Sequence, residues 1–236
     1  MLVAIVTGIV IMLALFAILE FSTRQASRAG DVLQATQQGR GTLTRIIDEL
    51  RSSCVSVGAT PVLKCSTASV LWFENAFSES AIIPKTSAFQ HKLFLAENEK
   101  GGTLWDWTYP ATGGTEPPFT YTGSTPKQVV LSEDVSHAKT ASGESIPIFQ
   151  YYKYSTTPGA VEANKSVSTL TAMTPPAGEG FTAEEAKKVA SVLVSFRAAP
   201  SDNSSAVGRD ADFSGQATFA FSTPAAEATI SSGPCQ

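Results

Sequence analysis

The sequence predicts an α+β chain in which a long N-terminal α-helix, hydrophobic and then amphipathic, packs on a C-terminal antiparallel β-sheet domain. Three observations lead to this fold class. The chain opens with an uncharged apolar run, Met1–Leu19. The more polar sequence that follows can stay helical to about Ser53. The remainder consists of short strand-like runs separated by turn-rich segments.

The apolar run has the length of a membrane span. At about 1.5 Å per residue, Met1–Leu19 extends roughly 28 Å, close to the ~30 Å hydrocarbon thickness of a bilayer. A cleaved signal peptide has a positive segment before a shorter apolar core, and no Lys or Arg precedes this run. A soluble core helix rarely lacks a polar face over such a length. We therefore predict a retained membrane helix over residues 1–19, with the signal peptide and the core helix as the alternatives.

The orientation of this span is predicted differently by charge and by composition. Arg24 and Arg28 follow the span, and the positive-inside rule alone would place the bulk of the chain in the cytoplasm. The body from Cys54 onward is rich in Ser, Thr, Gly and Pro, has few Lys and Arg, and contains all 3 cysteines. We predict an extracytoplasmic body, and a basic leader upstream of Met1 would remove the conflict.

The helix continues beyond the membrane span with an amphipathic pattern. Its apolar positions are Val32, Leu33, Leu43, Ile46, Ile47 and Leu50. Of these, the steps between residues 43, 46, 47 and 50 fit one helical face. Gly39 and Gly41 weaken the middle of the helix by about 1 kcal/mol each relative to Ala. These two glycines indicate a bend or a place where another backbone packs closely.

Two segments of this helix carry a family resemblance. The segments are MLVAIVTGIVIMLALFAILE and ATQQGRGTLTRIIDELRSSC. Together they resemble the N-terminal helix of type IV pilin-like proteins, especially minor pilins and pseudopilins. In that family a prepilin peptidase removes a basic leader and methylates the new N-terminus, and a Glu precedes the apolar stretch. Met1 falls just after the position of that Glu, so the resemblance implies that the chain as given assembles poorly.

The resemblance implies a structural role and a set of partners. It implies two parts, an N-terminal helix over 1–53 and an extracytoplasmic β-rich domain over 54–236. It also implies a subunit of a type IV pilus, competence pilus or type II secretion pseudopilus that contacts other pilin subunits through this helix. A full-length precursor would also meet the prepilin peptidase and an inner-membrane assembly platform. The alternative is a single-span, membrane-anchored extracellular binding protein, for which a flexible stalk is expected after the span.

Small residues in the apolar run are candidates for close helix packing. Apolar helices in a membrane or filament gain little from the hydrophobic effect when they associate, so their contacts depend on close approach. Thr7, Gly8, Ala14 and Ala17 are small enough to allow it. We predict that these residues pack against neighbouring helices.

The body is predicted to form one β-rich domain. Short runs with strand composition recur without alternating helices, which favours an antiparallel sheet; they are Val62–Lys64, Ser69–Phe73, His91–Leu95, Leu104–Trp107, Gln128–Leu131, Ile148–Tyr154, Val192–Arg197 and Ala217–Phe221. The stretches Tyr109–Pro126, Pro200–Gly215 and the tail from Thr223 are predicted to be loops. The segment from Thr182 has a capping-box pattern with Glu185, but the apolar residues after it fit either a helix or a strand. We predict a short helix to about Val189 and then a strand, partly because the family resemblance implies it.

The cysteines suggest one disulfide. Cys54 and Cys65 follow the helix closely and, in an oxidising compartment, could close a small loop worth about 3 kcal/mol. The alternative is three free thiols. Cys235 would then have no partner within the chain, and its thiol would be either free or bonded to another chain.

No sequence motif indicates catalysis, a cofactor or a metal. The only 2 histidines, His91 and His137, have no neighbouring nucleophile motif, and no CxxC is present. Asp202, Asn203, Asp210 and Asp212 could supply oxygen ligands for Ca²⁺, but a solvated polar loop explains them as well. The net charge of −4 disfavours nucleic-acid binding, although a competence pilus could bind DNA. The sequence therefore predicts a non-enzymatic protein.

Overall fold

The computed structural model describes residues 2–53, 60–78, 86–98, 101–114, 119–154, 161–162, 165–166, 170–200 and 210–219. Its helices are α1 (Leu2–Arg51) and α2 (Ala183–Ala186). Its strands are β1 (Val70–Ser78), β2 (Thr86–Asn98), β3 (Gly101–Pro110), β4 (Lys127–Ser136), β5 (Phe149–Tyr154), β6 (Val161–Glu162), β7 (Lys165–Ser166), β8 (Leu170–Met173), β9 (Ser191–Ala198) and β10 (Ala211–Thr218).

Helix α1 is continuous over 50 residues, from the apolar run through the amphipathic segment. No proline interrupts it, and backbone bonds from Ser52 N to Asp48 O and from Ser53 N to Leu50 O close its last turn. The predicted helix and its end near Ser53 are therefore confirmed. A long helix packed on an antiparallel sheet confirms the α+β fold class.

Only the last part of α1 is buried against the sheet. The buried residues follow one helical face; they are Ala35, Gly39, Thr42, Ile46, Ile47 and Leu50. The predicted face of Leu43, Ile46, Ile47 and Leu50 is confirmed, since all four contribute to the core. Val32 and Leu33 are exposed, because the face that contacts the sheet begins at Ala35.

The main sheet is antiparallel and has eight strands in the order β1-β2-β3-β4-β9-β5-β8, with β10 paired to β9. Two residue pairs join β4 to the end of β9, Val135 with Ala198 and Ser136 with Arg197. Strand β5 pairs with the beginning of β9. Strands β6 and β7 form a separate two-stranded sheet. One face of the curled main sheet thus receives α1.

The core lies between α1 and this face. It combines helix residues with alternate residues of the strands, and its largest fully buried members include Ile46, Leu50, Leu71, Phe73, Leu93, Leu104, Phe149, Tyr151 and Phe196. Burying one such side chain contributes roughly 1.5–3 kcal/mol. The main contacts with α1 come from β1, β4, β9 and β10. Because the helix precedes every strand it contacts, the core depends on contacts that are distant in sequence.

Strand β10 differs most from the sequence prediction. The chain forms Ala211–Thr218 as a strand, whereas the sequence predicted a loop to Gly215 and a strand from Ala217. Two contacts explain the difference: Asp212 pairs with Arg197 across the strands, and Phe213 packs beside Phe196. Ser, Gly and Asp give this segment the composition of a loop, so the alternation of its side chains was obscured. Residues 201–209 and 220–221 lie outside the described residues.

The other predicted elements are mostly confirmed. Six of the predicted strand runs lie on β1, β2, β3, β4, β5 and β9, while Val62–Lys64 is reduced to a single bridge between Val62 and Phe73. The predicted capping box is present, since the Thr182 side chain accepts from Glu185 N and the Glu185 side chain accepts from Thr182 N. The helix it begins ends at Ala186, before the predicted Val189.

Gly39 is required where α1 crosses β10. A Cβ built on Gly39 would lie 2.5 Å from Phe213 Cζ and 2.6 Å from Phe213 Cδ2, which is far inside van der Waals contact. A Cβ on Gly41 would meet nothing within 4 Å. The close neighbour of Gly39 is therefore an aromatic ring, and Gly41 faces open space.

This difference predicts opposite effects for two matched substitutions. Gly39→Ala should lower the stability by roughly 1–3 kcal/mol, because the Phe213 ring or the helix must shift. Gly41→Ala should raise it by about 0.5–1 kcal/mol through helix propensity alone. Thermal unfolding of the full chain in detergent, followed by tryptophan fluorescence from β1 and β3, measures both. Equal shifts in the same direction for the two variants would contradict the assigned contact.

Candidate functional site

The first feature of functional interest is the part of α1 that extends beyond the sheet. Every residue from Ile5 to Gly30 is exposed, and the described large apolar side chains between Val3 and Phe21 are each at least half exposed. At about 1.5 Å per residue, the segment before Ala35 is roughly 50 Å long. Its most apolar window has a mean hydropathy of 2.4 and carries no buried residue. Among the described residues, this one helix is long and apolar enough to cross a membrane.

The predicted packing residues lie on more than one side of this helix. At about 100° per residue, Thr7 and Ala14 lie roughly 20° apart, whereas Gly8 and Ala17 lie about 180° apart. Nothing lies within 4 Å of a Cβ built on Gly8, so a shallow groove forms there. The groove is lined by Ile5, Gly8, Ile9, Met12, Leu13 and Phe16. Small-residue surfaces are thus available on opposite sides of the helix.

The polar groups of this segment are satisfied along the helix itself. Thr7 Oγ1 donates to Val3 O at 3.0 Å, which removes the cost of a hydroxyl among apolar residues. Glu20 is the first charged residue after the apolar run, and it forms an ion pair with Arg24. The pair marks the point where the apolar surface ends.

The second feature is the junction where α1 meets the sheet. Gln38 Nε2 donates to Ser132 Oγ at 3.2 Å, and Thr42 Oγ1 donates to Leu131 O at 3.1 Å, so both bonds join the helix to β4. Further along, Glu49 approaches His91 of β2, with 3.5 Å between Glu49 Oε2 and His91 Nδ1. Polar contacts therefore accompany the apolar packing along the whole junction.

His91 lies between two carboxylates inside this junction. Its Nδ1 is 3.0 Å from Asp106 Oδ1 of β3, and both side chains are almost fully buried. The His91 ring stacks on Phe73, with 4.7 Å between ring centroids and 13° between planes. Glu49, His91 and Asp106 bring their ligand atoms within 4.8 Å of one another. The sequence analysis missed this cluster, although an ionisable residue beside large apolar ones in each of two strand-like runs, His91 and Asp106, was a usable indication.

The opposite face of the sheet carries an aromatic group around one cation. Lys92 Nζ lies 5.2 Å, 5.0 Å and 5.3 Å from the ring centroids of Trp72, Phe94 and Trp107, respectively. Tyr109 packs on Trp72 with centroids 5.8 Å apart. These distances are within the cation–π range, so Lys92 stabilises a half-buried aromatic surface.

Glu74 is a buried carboxylate on this second face. Burial raises the pKa of Glu74 to about 7, and the polar side chain of Tyr121 offsets part of that rise. Burial together with the negative charge of Glu74 raises the pKa of Tyr121 well above its usual value. Glu74 is thus protonated in the folded chain at pH values where an exposed carboxyl has lost its proton.

The remaining candidates from the sequence have structural partners or lie outside the described residues. His137 contacts Glu97 through Nε2 at 3.2 Å and Ile146 O through Nδ1 at 3.0 Å. Asp210 and Asp212 both form ion pairs with Arg197. The hydrogen bond from Arg197 holds the pKa of Asp212 below its usual value. Asp202 and Asn203 lie outside the described residues.

The predicted disulfide is not seen. Cys65 is exposed and carries a free thiol, in a turn with φ of 66°. The turn is held by bonds from Cys65 N to Phe181 O and from Phe181 N to Ser66 O, so its conformation does not require a disulfide. Cys54 and Cys235 lie outside the described residues.

No match to this chain is found among protein-family models, curated proteins or solved structures. The structure itself defines the class of protein, which is a chain with a long, exposed apolar helix attached to an antiparallel β-domain.

The raised pKa of Glu74 predicts a pH dependence of stability. The unfolded chain releases this proton near pH 4.5 and the folded chain near pH 7, so folding stability should fall as pH rises between these values and stay level above. Glu74→Gln should remove this pH dependence. At pH values above 7, its thermal unfolding midpoint should therefore be higher than that of the wild type. Thermal unfolding across this pH range, in detergent, measures the effect. Glu97→Gln, at an exposed carboxyl, is the control, and an unchanged pH profile in Glu74→Gln would contradict the assignment.

Proposed function

We propose that the chain is a structural subunit of a pilin-like filament, as a minor pilin or pseudopilin of a type IV pilus, competence pilus or secretion pseudopilus. The observation that carries the proposal is the roughly 50 Å of exposed helix that continues without a break into the helix docked on the β-domain. The protein would enter the membrane through residues 1–19 with its β-domain extracytoplasmic, and then move into a filament.

The exposed surface of the helix supports assembly. Side chains such as Ile11, Leu15 and Phe16 are at least 60% exposed. A surface this apolar is not stable in water, so it needs lipid or other apolar helices around it. In a filament core, contacts with neighbouring helices replace contacts with lipid.

The distribution of small residues supports contacts with several neighbours. Gly8 and Ala17 allow close approach on opposite sides, and Thr7 and Ala14 allow it on the surface between them, so the small residues extend around about half of the helix. A helix dimer needs only one such surface. Several surfaces suit a bundle in which each helix has neighbours all around it.

The continuity of the helix favours this proposal over a membrane-anchored binding protein. A tethered receptor domain benefits from a flexible stalk, which lets it move relative to the membrane. In this chain, the helix crosses from the exposed segment to the docked segment between Gly30 and Ala35 without a change of secondary structure. The β-domain would therefore hold a set orientation relative to its apolar helix, as a filament subunit requires.

Photo-crosslinking in the source cells tests the proposal. The chain is expressed from its own gene with benzoylphenylalanine at Ala14, and filaments are sheared from illuminated cells. We expect crosslinks to other filament subunits in the sheared fraction. The same probe at Lys153, which is exposed on β5, is the control for contacts that do not involve the helix. A chain that stays in the membrane fraction without crosslinks to such subunits would overturn the proposal and favour the anchored binding protein.

A substitution at Gly8 should separate assembly from membrane insertion. Gly8→Leu keeps the helix apolar but fills the groove beside Ile5 and Met12, so incorporation into sheared filaments should fall roughly tenfold. The amount in the membrane should stay unchanged. Leu15→Ile, which conserves volume on the same helix, is the matched control. Equal incorporation of Gly8→Leu and wild type, measured by quantitative immunoblot, would contradict a packing role for Gly8.

A further inference from the structure

We propose that Glu49, His91 and Asp106 form a site for a transition-metal dication, with Zn²⁺ as the expected ion, which joins α1 to strands β2 and β3. This site is independent of the proposed filament role. It uses one residue from the helix and one from each of two consecutive strands, which meet at the helix–sheet junction.

Two of the three distances between the ligand atoms are close to those of a tetrahedral zinc site, and the third is within 4.8 Å. With zinc–ligand bonds of about 2.0–2.1 Å, neighbouring ligand atoms of a tetrahedron lie roughly 3.3 Å apart. His91 Nδ1 is 3.0 Å from Asp106 Oδ1 and 3.5 Å from Glu49 Oε2. These two distances lie on either side of the tetrahedral value, so small side-chain movements would complete the geometry.

The protein alone satisfies the two carboxylates unequally. Nδ1 of His91 can carry one proton, and the bond to Asp106 at 3.0 Å is much better than the 3.5 Å approach to Glu49. Arg45 pairs with Oε1 of Glu49, but Oε2 of Glu49 and Oδ1 of Asp106 both face His91 Nδ1 and lie within 4.8 Å of one another. A cation between these two oxygens would offset the repulsion of the two carboxylates. A dication bound to all three ligand atoms satisfies both carboxylates at once.

The ligand chemistry selects the type of metal. One imidazole nitrogen and two carboxylate oxygens form a donor set that suits Zn²⁺ and related ions. Calcium needs six to eight oxygen ligands, and magnesium needs six in an octahedron, so a nitrogen-containing set of three is a poor match for either. The set therefore points to zinc, with Co²⁺ as its spectroscopic substitute.

Surrounding residues orient the ligands. Arg45 Nε donates to Glu49 Oε1 at 3.1 Å, which leaves Oε2 facing His91. Phe73 stacks on the imidazole and holds its plane. Such outer contacts commonly position metal ligands and tune their affinity. The Glu49 side chain is 21% exposed, compared with 6% for His91 and 1% for Asp106, so the ion and a water ligand can enter from its side.

Metal binding to the full chain in detergent tests the proposal. Equilibrium dialysis with Zn²⁺ should give one bound ion per chain, and the unfolding midpoint should rise with zinc concentration, since binding to the folded state stabilises it. Co²⁺ should give visible absorption bands without a thiolate charge-transfer band, which separates this site from binding to Cys65 or the other cysteines. Absence of a bound ion in the wild type would overturn the proposal.

Three variants locate the ion. His91→Gln and Glu49→Gln should each lower zinc affinity at least tenfold and abolish the visible cobalt bands. His137→Gln removes the other histidine, which has one exposed carboxylate beside it, and should bind as the wild type does. Since Glu49 is partly exposed, its variant is expected to fold even if His91→Gln does not. Loss of binding in His137→Gln, or unchanged binding in Glu49→Gln, would contradict the assignment.

Discussion

The packing of the last part of α1 on the sheet is the interaction on which the rest of the structure depends. One continuous helix has to satisfy two environments, because its first part is apolar on every side while its last part has one buried face. Ala35, Gly39 and Thr42 keep the helix close to the strands at the start of the contact, and Ile46 and Leu50 fill the core further on. Without this contact, the strands would lose the surface that closes their core.

Polar residues give this junction its specificity. Apolar packing alone tolerates small rotations and shifts of a helix, whereas hydrogen bonds and charges require particular partners. Gln38 and Thr42 bond to β4, and Glu49 meets His91 and Asp106 at the other end of the contact. Misdocking by one helical turn would separate Gln38 and Thr42 from their partners on β4 and Glu49 from His91.

Much of the fold could be predicted from the sequence, because its strongest patterns are local. The uncharged run, the helical spacing of Ile46, Ile47 and Leu50, and the capping box at Thr182 each depend on residues close in sequence. The functional junction could not be predicted in the same way. His91 and Asp106 lie on neighbouring strands and Glu49 on a helix that precedes them, so their meeting depends on strand register and helix docking. Strand β10 was missed for a similar reason, since Phe213 is recognised as a strand residue only through its contacts with α1 and Phe196.

The fit of Gly39 against Phe213 has a geometric consequence for the far end of the molecule. An α-helix turns by about 100° per residue. The contact of Gly39 with Phe213 therefore sets the direction in which every earlier residue of the helix points relative to the sheet. A single-residue insertion between Gly30 and Ala35 would turn the apolar segment by about 100° relative to the β-domain, while seven residues would turn it by only about 20°. The length of this connecting stretch therefore determines the direction that the β-domain faces relative to the sides of the apolar helix.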